Sequence, residues 1–312
     1  MNDTRKPRQG NRGYSAKFTD SADFARTTIQ HTWLIDRILV KGQPGVIGGP
    51  KKSLKTSIGI DMAISLGTGT PFLGEFEVPE KMRVGFLSGE SGEATVRETA
   101  QRICKAKKVR LKTADVSWSF RLPCLSRKLD LVGLKDELCE HQVKVVIIDP
   151  LYLCLLGGAR NISASNLYEI GPLLWRVGKA CRAAGATPIL IHHTTKEAEK
   201  KSEQRAGPLN LDDLAFSGIG EFVRQWLLIN RRWQYEHATG NHHLLMAVGG
   251  SAGHSGCWEV DVQEGVLRND FSDREWSATV RKYNGSCAAK ATGPQTSGNR
   301  VRHGSFDEDP NF

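Results

Sequence analysis

Short apolar segments alternate along the middle of this chain with segments of helical periodicity, and this alternation limits the fold more than any other feature. The run 143–148 is almost continuously apolar, as expected for a strand buried on both faces. Segment 55–66 carries Ile58, Met62 and Leu66 at intervals of four residues, which predicts a helix that stops at Gly67. Strands that alternate with helices predict an α/β fold with a mainly parallel sheet flanked by helices.

The same pattern predicts the neighbouring elements. Further strands are expected at 45–48, 83–87 and 188–191, and further helices at 93–107 and 167–184. After Phe216 the pattern changes, and glycine-containing turns separate three short apolar runs at 226–229, 243–248 and 257–262. We expect these three strands to be antiparallel and to form a β-rich C-terminal extension of the parallel sheet.

The two ends of the chain differ from its middle. Residues 1–25 are basic and polar, and residues 286–312 are rich in Gly, Ser, Thr and Asn. Because neither segment can bury enough apolar surface to offset the entropy of ordering it, we predict a disordered basic tail at 1–25 and a disordered tail at 286–312. Residues 26–285 then form a single domain.

Composition excludes several classes of protein. No apolar run approaches the roughly 20 residues of a membrane helix, and no apolar leader segment is seen, so we expect no membrane partner. The seven cysteines form no C-x-x-C pair, which favours reduced thiols in the cytoplasm over a disulfide framework. The formal net charge of +9 permits nucleic-acid binding without requiring it.

A glycine-led loop connects the first of these predicted strands to the first predicted helix. Its residues and the one that follows are Gly49, Pro50, Lys51, Lys52, Ser53, Leu54, Lys55, Thr56 and Ser57. The loop matches the phosphate-loop pattern G-x-x-x-x-G-K-[ST], except that Leu54 replaces the second glycine. In that pattern loop amides hold phosphate, the lysine reaches the outer phosphates and the hydroxyl binds Mg²⁺. The loop therefore predicts ATP and Mg²⁺ as cofactors, and the alternative is an ordinary strand–turn–helix junction.

Two carboxylates follow predicted strands. Asp149 ends the most apolar strand, which is the usual position of the acid that binds Mg²⁺ together with a phosphate loop, here with Thr56. Glu90 ends the segment Leu87-Ser88-Gly89-Glu90, where a carboxylate could orient an attacking water. The simpler interpretations are a turn before Pro150 and a plain loop residue.

Histidines and arginines follow the next strands. His192 and His193 come directly after strand 188–191, where they could sense a γ-phosphate or merely cap a turn. A zinc site that also uses His242 and His243 is disfavoured, because no third ligand lies at ligand spacing. The segment 224–232 contains arginines suited to contact a neighbouring subunit's γ-phosphate. They are Arg224, Arg231 and Arg232.

Taken in order, these segments resemble the RecA-like AAA ATPases related to the hexameric replicative helicase RepA of plasmids. The resemblance covers about residues 30–235 and implies a RecA-like P-loop core with ATP between adjacent subunits of a ring. It implies that Lys55 and Thr56 bind phosphate and Mg²⁺, that Asp149 also binds Mg²⁺ and that Glu90 is the catalytic base. It further implies that His192 and His193 sense the γ-phosphate. An arginine finger would come from segment 224–232 of the neighbouring subunit.

The resemblance also implies two pore loops that contact a single strand. These are Leu155–Asn166 and Lys196–Leu214, the second of which contains Lys200, Lys201 and Arg205. A denser basic run at Arg97–Lys112 indicates either nucleic-acid contact or a solvated helix face.

The leading hypothesis is a ring-forming homo-oligomer, expected to be a hexamer, that hydrolyses ATP and moves on single-stranded DNA in replication or mobile-element processing. One alternative is an ATPase switch or assembly platform without helicase activity. The other is a nucleotide-binding module without catalysis.

Overall fold

A computed structural model divides the chain into two units, residues 1–32 and residues 33–312. The residues that it describes are 16, 18–28, 30–156, 163, 166–204, 207–235, 237–266 and 274–285. In the first unit, helix α1 (Ser21–Arg26) is capped by Asp20 and buries no residue. This helix overlaps the predicted tail 1–25. Most of that tail, and all of the predicted tail 286–312, lies outside the described residues.

The second unit contains the strands and the remaining helices. The strands are β1 (Trp33–Ile35), β2 (Leu39–Val40), β3 (Gly45–Gly49), β4 (Val84–Ser88), β5 (Val116–Ser119), β6 (Val145–Asp149), β7 (Thr187–His193), β8 (Gln225–Arg231), β9 (Asn241–Gly250), β10 (Ser255–Gln263) and β11 (Ser277–Lys282). The helices are α2 (Lys55–Thr68), α3 (Glu93–Ala106), α4 (Lys128–Glu140), α5 (Leu151–Leu156), α6 (Leu167–Ala183), α7 (Lys196–Gln204) and α8 (Ile219–Phe222). None of the helices in the described part of the chain is long and apolar enough to cross a bilayer.

A nine-stranded sheet organises this unit, in the order β11-β10-β9-β8-β3-β7-β6-β4-β5. From β8 to β5 in this order, neighbouring strands are parallel. From β8 to β11, neighbouring strands are antiparallel, so β8 has one parallel and one antiparallel neighbour. The predicted α/β class, with its parallel sheet and β-rich C-terminal extension, is confirmed. The three late strands β8, β9 and β10 are antiparallel to one another as expected, and β8, which follows helix α8, also joins β3 in parallel. Strand β8 is buried along most of its length, as a strand between two neighbours must be.

Each face of the parallel sheet packs against helices, because successive side chains of a strand point to opposite faces. On one face Ile47 packs in a core with Ile58 of α2 and Ile103 of α3. On the other face the preceding Val46 packs in a second core with Leu174 of α6, to which α4 also contributes. The helices therefore hold the sheet from both sides and leave the ends of its strands available for function.

Helix α2 ends later than predicted. It continues through Gly67 and ends at Gly69, whose φ of +75° provides the left-handed C-cap and whose amide donates to the Ser65 carbonyl. A β-carbon at Gly67 would lie 2.8 Å from the side chain of Val116. The absence of a side chain at Gly67 therefore allows strand β5 to lie close to α2, and Gly67 does not end the helix.

Candidate functional site

The carboxyl ends of the parallel strands bring the predicted site residues together. Register pairs Ser88 of β4 with Asp149 of β6, and Gly49 of β3 with His193 of β7. Glu90 follows β4 at the same edge of the sheet. Parallel strands present their carboxyl ends at one edge, so the phosphate loop, both carboxylates and the histidine pair converge there.

The phosphate loop is closed by its own hydrogen bonds. Lys55 Nζ donates to the Pro50 carbonyl at 2.6 Å, and Ser53 Oγ donates to the same oxygen at 2.9 Å. Burial lowers the pKa of Lys55 to about 8, and the charge of Asp149 partly opposes this effect. A desolvated ammonium without an ion-pair contact has an electrostatic preference for an anion such as a phosphate.

Leu54 adopts the backbone conformation that the missing glycine would supply. Its φ of 59° and ψ of 20° are left-handed, and it is the N-cap residue of α2. The loop thus keeps the bend of a phosphate loop, although a β-carbon at this position costs about 1–2 kcal/mol. Gly49 is required for a different reason, because a β-carbon there would lie 2.2 Å from the Ile229 carbonyl oxygen.

Thr56 and Asp149 form the oxygen pair expected for Mg²⁺. Thr56 Oγ1 donates to Asp149 Oδ2 at 2.7 Å. Burial raises the pKa of Asp149 to about 6, the charge of Glu90 adds to this effect, and Thr56 and Lys55 oppose it. A cation beside this buried carboxylate would stabilise its charged form. Among the described residues no group of three or more His, Cys, Asp and Glu could hold a metal, so a Mg²⁺ ion here needs oxygens of phosphate or water as well.

Glu90 has a partner that the motifs did not predict. The Tyr152 hydroxyl donates to Glu90 Oε1, and its ring centroid lies 4.8 Å from that of His193. The hydrogen bond to Glu90 raises the pKa of Tyr152 to about 12, so the hydroxyl remains a donor at neutral pH. Tyr152 lies in α5, directly after Asp149-Pro150. Its closeness to that motif was the available signal.

His192 and His193 stack on each other with ring centroids 4.8 Å apart. His192 is fully buried, its Nε2 donates to the Ala215 carbonyl at 2.9 Å, and its Nδ1 has no hydrogen-bond partner among the described residues. Burial lowers the pKa of His192 to about 3, so the ring is neutral. The ring of Phe216 lies 5.0 Å away. The pair therefore connects the phosphate loop to segment 211–218.

The predicted finger arginines have three different surroundings. Arg231 donates to the Lys51 carbonyl of its own phosphate loop. Arg232 pairs with Glu259 and, at 2.6 Å, with Asp261. Arg224 is exposed and precedes β8, so it lies at the opposite edge of the sheet. In the single chain only Arg231 reaches the loop.

A cleft of about 980 Å³ lies beside the phosphate loop. Leu54 of the loop, Trp233, Tyr235 and His242 are among the residues that line it. The Tyr235 and His242 rings stack with centroids 4.7 Å apart, and His242 Nε2 contacts Glu264 at 3.0 Å. His242 therefore belongs to this cleft, with Tyr235 and Glu264 as its neighbours. The volume suits a small organic ligand with an aromatic or apolar part.

The described residues test the predicted basic segments only in part. Most of Leu155–Asn166 falls outside the described residues, as does Arg205, whereas the described part of Lys196–Leu214 contains helix α7 and a 3₁₀ turn at Leu211–Asp213. In the basic run, Arg102 is buried and its guanidinium donates to the Glu264 carbonyl and to Thr99. Lys107 pairs with Asp61 at 3.1 Å in the core. These two cations therefore stabilise the fold and are not available to nucleic acid.

Comparisons with known proteins identify a family and a shared fold. A family model described as AAA domain matches residues 12–199. No curated protein matches the sequence. A solved structure described as a DnaB-like replicative helicase and its interactions with primase has the same fold, with a TM-score of 0.53 at 10% identity over 75% of this chain. The chain covers 57% of that helicase chain. The matched residues contain the phosphate loop, both carboxylates and the histidine pair, and this chain belongs to the AAA domain family.

Proposed function

We propose that this chain binds and hydrolyses ATP as a RecA-like ATPase and works as a ring-forming, helicase-like DNA motor in replication or mobile-element DNA processing. One observation carries the proposal. Lys55 and Thr56 begin the helix after β3, Glu90 follows β4, and Asp149 and the histidine pair end β6 and β7, so all of them converge at one edge of the sheet.

The residues divide the work according to their chemistry. The amides of loop 49–57 and the Lys55 ammonium hold the phosphates. Thr56 and Asp149 would hold Mg²⁺, whose charge would neutralise the phosphate oxygens. Glu90 orients and deprotonates the attacking water, and Tyr152 holds that carboxylate in place. His193 contacts the γ-phosphate, and its ring stacking on His192 passes the nucleotide state to segment 211–218.

The cleft beside the loop is the place for the nucleoside. Its aromatic side chains offer stacking surfaces, and it adjoins the loop that binds the phosphates. The helicase-like assignment and the relation to plasmid RepA rest on the order of the four motifs. The fold shared with a DnaB-like replicative helicase supports the same assignment.

A switch or assembly platform without helicase activity is the second candidate. It is favoured by Arg231, which contacts the loop of its own chain instead of facing outward. Leu54 points in the same direction, since it departs from the second glycine of the phosphate-loop pattern.

The test is the rate of phosphate release with and without an oligothymidylate. We expect the unmodified chain to release phosphate from ATP and the oligonucleotide to stimulate this release. Lys55→Ala and Glu90→Gln should each reduce the rate by at least about 100-fold. ATP turnover without stimulation or strand displacement favours the switch. Phosphate release that neither substitution changes contradicts an ATPase at this site.

A further inference from the structure

Glu199 lies against the phosphate loop, although no motif contains it. It belongs to α7, the helix that follows the histidine pair, and Glu199 Oε1 accepts a hydrogen bond from the Lys51 amide at 3.2 Å. Its side chain is half-buried and lines the cleft beside the loop. The pKa of Lys55, which burial lowers, is held up in part by the charges of Asp149 and Glu199. Glu199 thus accepts a hydrogen bond from one loop amide and interacts electrostatically with the loop lysine.

A phosphate loop binds anions through its backbone amides, and a carboxylate oxygen on such an amide takes the place of a phosphate oxygen. We propose that Glu199 is a built-in competitor of the nucleotide: it occupies the anion site of the free loop and is expelled when a polyphosphate binds. This inference rests on the proposed function, because it supposes that the loop takes nucleotide phosphates. Repulsion between the carboxylate and the incoming phosphates provides the force for expulsion.

Expulsion of Glu199 has a consequence for the helix that carries it. Helix α7 is anchored at its start by Thr195, whose amide donates to the Asp213 carbonyl at 2.9 Å and whose hydroxyl accepts from the Ala198 amide at 3.2 Å. Release of Glu199 from Lys51 removes a contact between this helix and the phosphate loop, and the surroundings of the exposed Lys196 and Lys200 on the same helix change with it.

The nucleotide state and the surroundings of these two lysines are therefore coupled. A single-stranded nucleic acid that binds the lysines favours the expelled state, so it also tightens nucleotide binding. The coupling is reciprocal, as any linkage between two binding equilibria must be.

The first experiment measures the affinity of the full-length chain for ADP with Mg²⁺ by calorimetry. Glu199→Gln keeps the hydrogen-bonding shape and removes the charge, whereas Glu199→Ala removes both. Glu197→Gln is the matched control, because it removes the same charge from an exposed position of the same helix. We expect the Kd for ADP to fall about 5-fold or more in both Glu199 variants and to stay unchanged in the control. Equal or weaker binding in the Glu199 variants overturns the proposal.

Lys55→Ala separates this inference from the proposed function. If the unmodified chain binds no ADP, both fail. Only the inference fails if the unmodified chain binds ADP, Lys55→Ala weakens that binding, and the Glu199 variants bind ADP as tightly as the unmodified chain.

A second arm repeats the titrations with a saturating oligothymidylate. We expect the oligonucleotide to lower the Kd for ADP in the unmodified chain and to have a smaller effect in Glu199→Gln. An equal effect in both proteins shows that any coupling does not pass through Glu199.

Discussion

At the scale of single residues, the site holds groups in states that cost the fold free energy. Leu54 has a left-handed backbone without being glycine. Asp149 is a carboxylate buried at the end of a strand, with its pKa raised to about 6 by that burial. Strain and desolvation of this kind concentrate at functional sites, because the surrounding fold holds them in place. Both residues lead to predictions about stability.

At position 54, glycine should be more stable than alanine. Leu54→Ala and Leu54→Gly both lose the packing of the side chain against the core, but only glycine relieves the left-handed strain. We expect the Gly variant to exceed the Ala variant by about 1 kcal/mol in the free energy of unfolding, measured in urea. At Gly133 of α4, where a β-carbon meets open space, the order should reverse and Gly133→Ala should stabilise. The same order at both positions contradicts the strain at Leu54.

The buried carboxylate of Asp149 should make stability depend on pH. Because burial raises its pKa from 3.8 to about 6, the folded chain binds more protons at Asp149 than the unfolded chain in this window. Raising the pH through the window therefore destabilises the fold, by up to about 3 kcal/mol. Asp149→Asn should be more stable than the unmodified chain at pH 7.5, and the difference should vanish near pH 4. Urea unfolding at both pH values measures this, and a constant difference contradicts the prediction.

At the scale of elements, helix α3 carries cations in both buried and exposed positions. Helix α3 appears in the sequence as part of a basic run, yet its Arg102 is buried and contacts Thr99, Glu98 and the Glu264 carbonyl. Lys105 on the same helix is exposed. Two cations that look alike in the sequence therefore have different surroundings, because only one of them lies against the segment that follows β10.

Replacing these two cations should have unequal effects. Arg102→Ala leaves buried acceptors without their donor and should lower the free energy of unfolding by about 3 kcal/mol. Lys105→Ala should change it by less than about 0.5 kcal/mol, because an exposed lysine contributes little and alanine favours the helix. Chemical denaturation of both variants measures the difference. Equal losses contradict the structural role of Arg102.

At the scale of the whole molecule, the proposed ring and the proposed strand binding lead to physical expectations. If ATP lies between subunits, light scattering with Mg²⁺ and ATP should report a multiple of the monomer mass that Lys55→Ala loses. Binding of oligothymidylate should weaken with salt, with a log–log slope of about −0.7 per phosphate contact. A chain that stays monomeric with every nucleotide contradicts the ring.

Much of the fold and of the candidate site could be predicted from the sequence. Apolar periodicity located the parallel strands β3, β4, β6 and β7 and the helices α2, α3 and α6, because burial of a strand on both faces leaves a pattern in the chain. It did not locate β5, whose residues are only half-buried, or α4. The motif residues Lys55, Thr56, Asp149 and Glu90 were also identified from their positions after those strands. Their convergence follows from the geometry of parallel strands alone.

Contacts between residues distant in the chain could not be predicted in this way. Tyr152 with Glu90, Glu199 with Lys51 and Arg231 with the Lys51 carbonyl join segments that no local pattern relates. The same limit applies to strand β8, whose parallel pairing depends on where α8 returns the chain.

The sequence by itself therefore determined the class of fold, the phosphate loop and the types of residue at the sheet edge. Local periodicity and short motifs depend only on residues that are close together in the sequence, so they can be recognised before the fold is known. Only the tertiary structure decided which arginine touches the loop, which cations are buried and which carboxylate lies on the loop amide. Those outcomes depend on packing between elements and on desolvation, which no single segment contains.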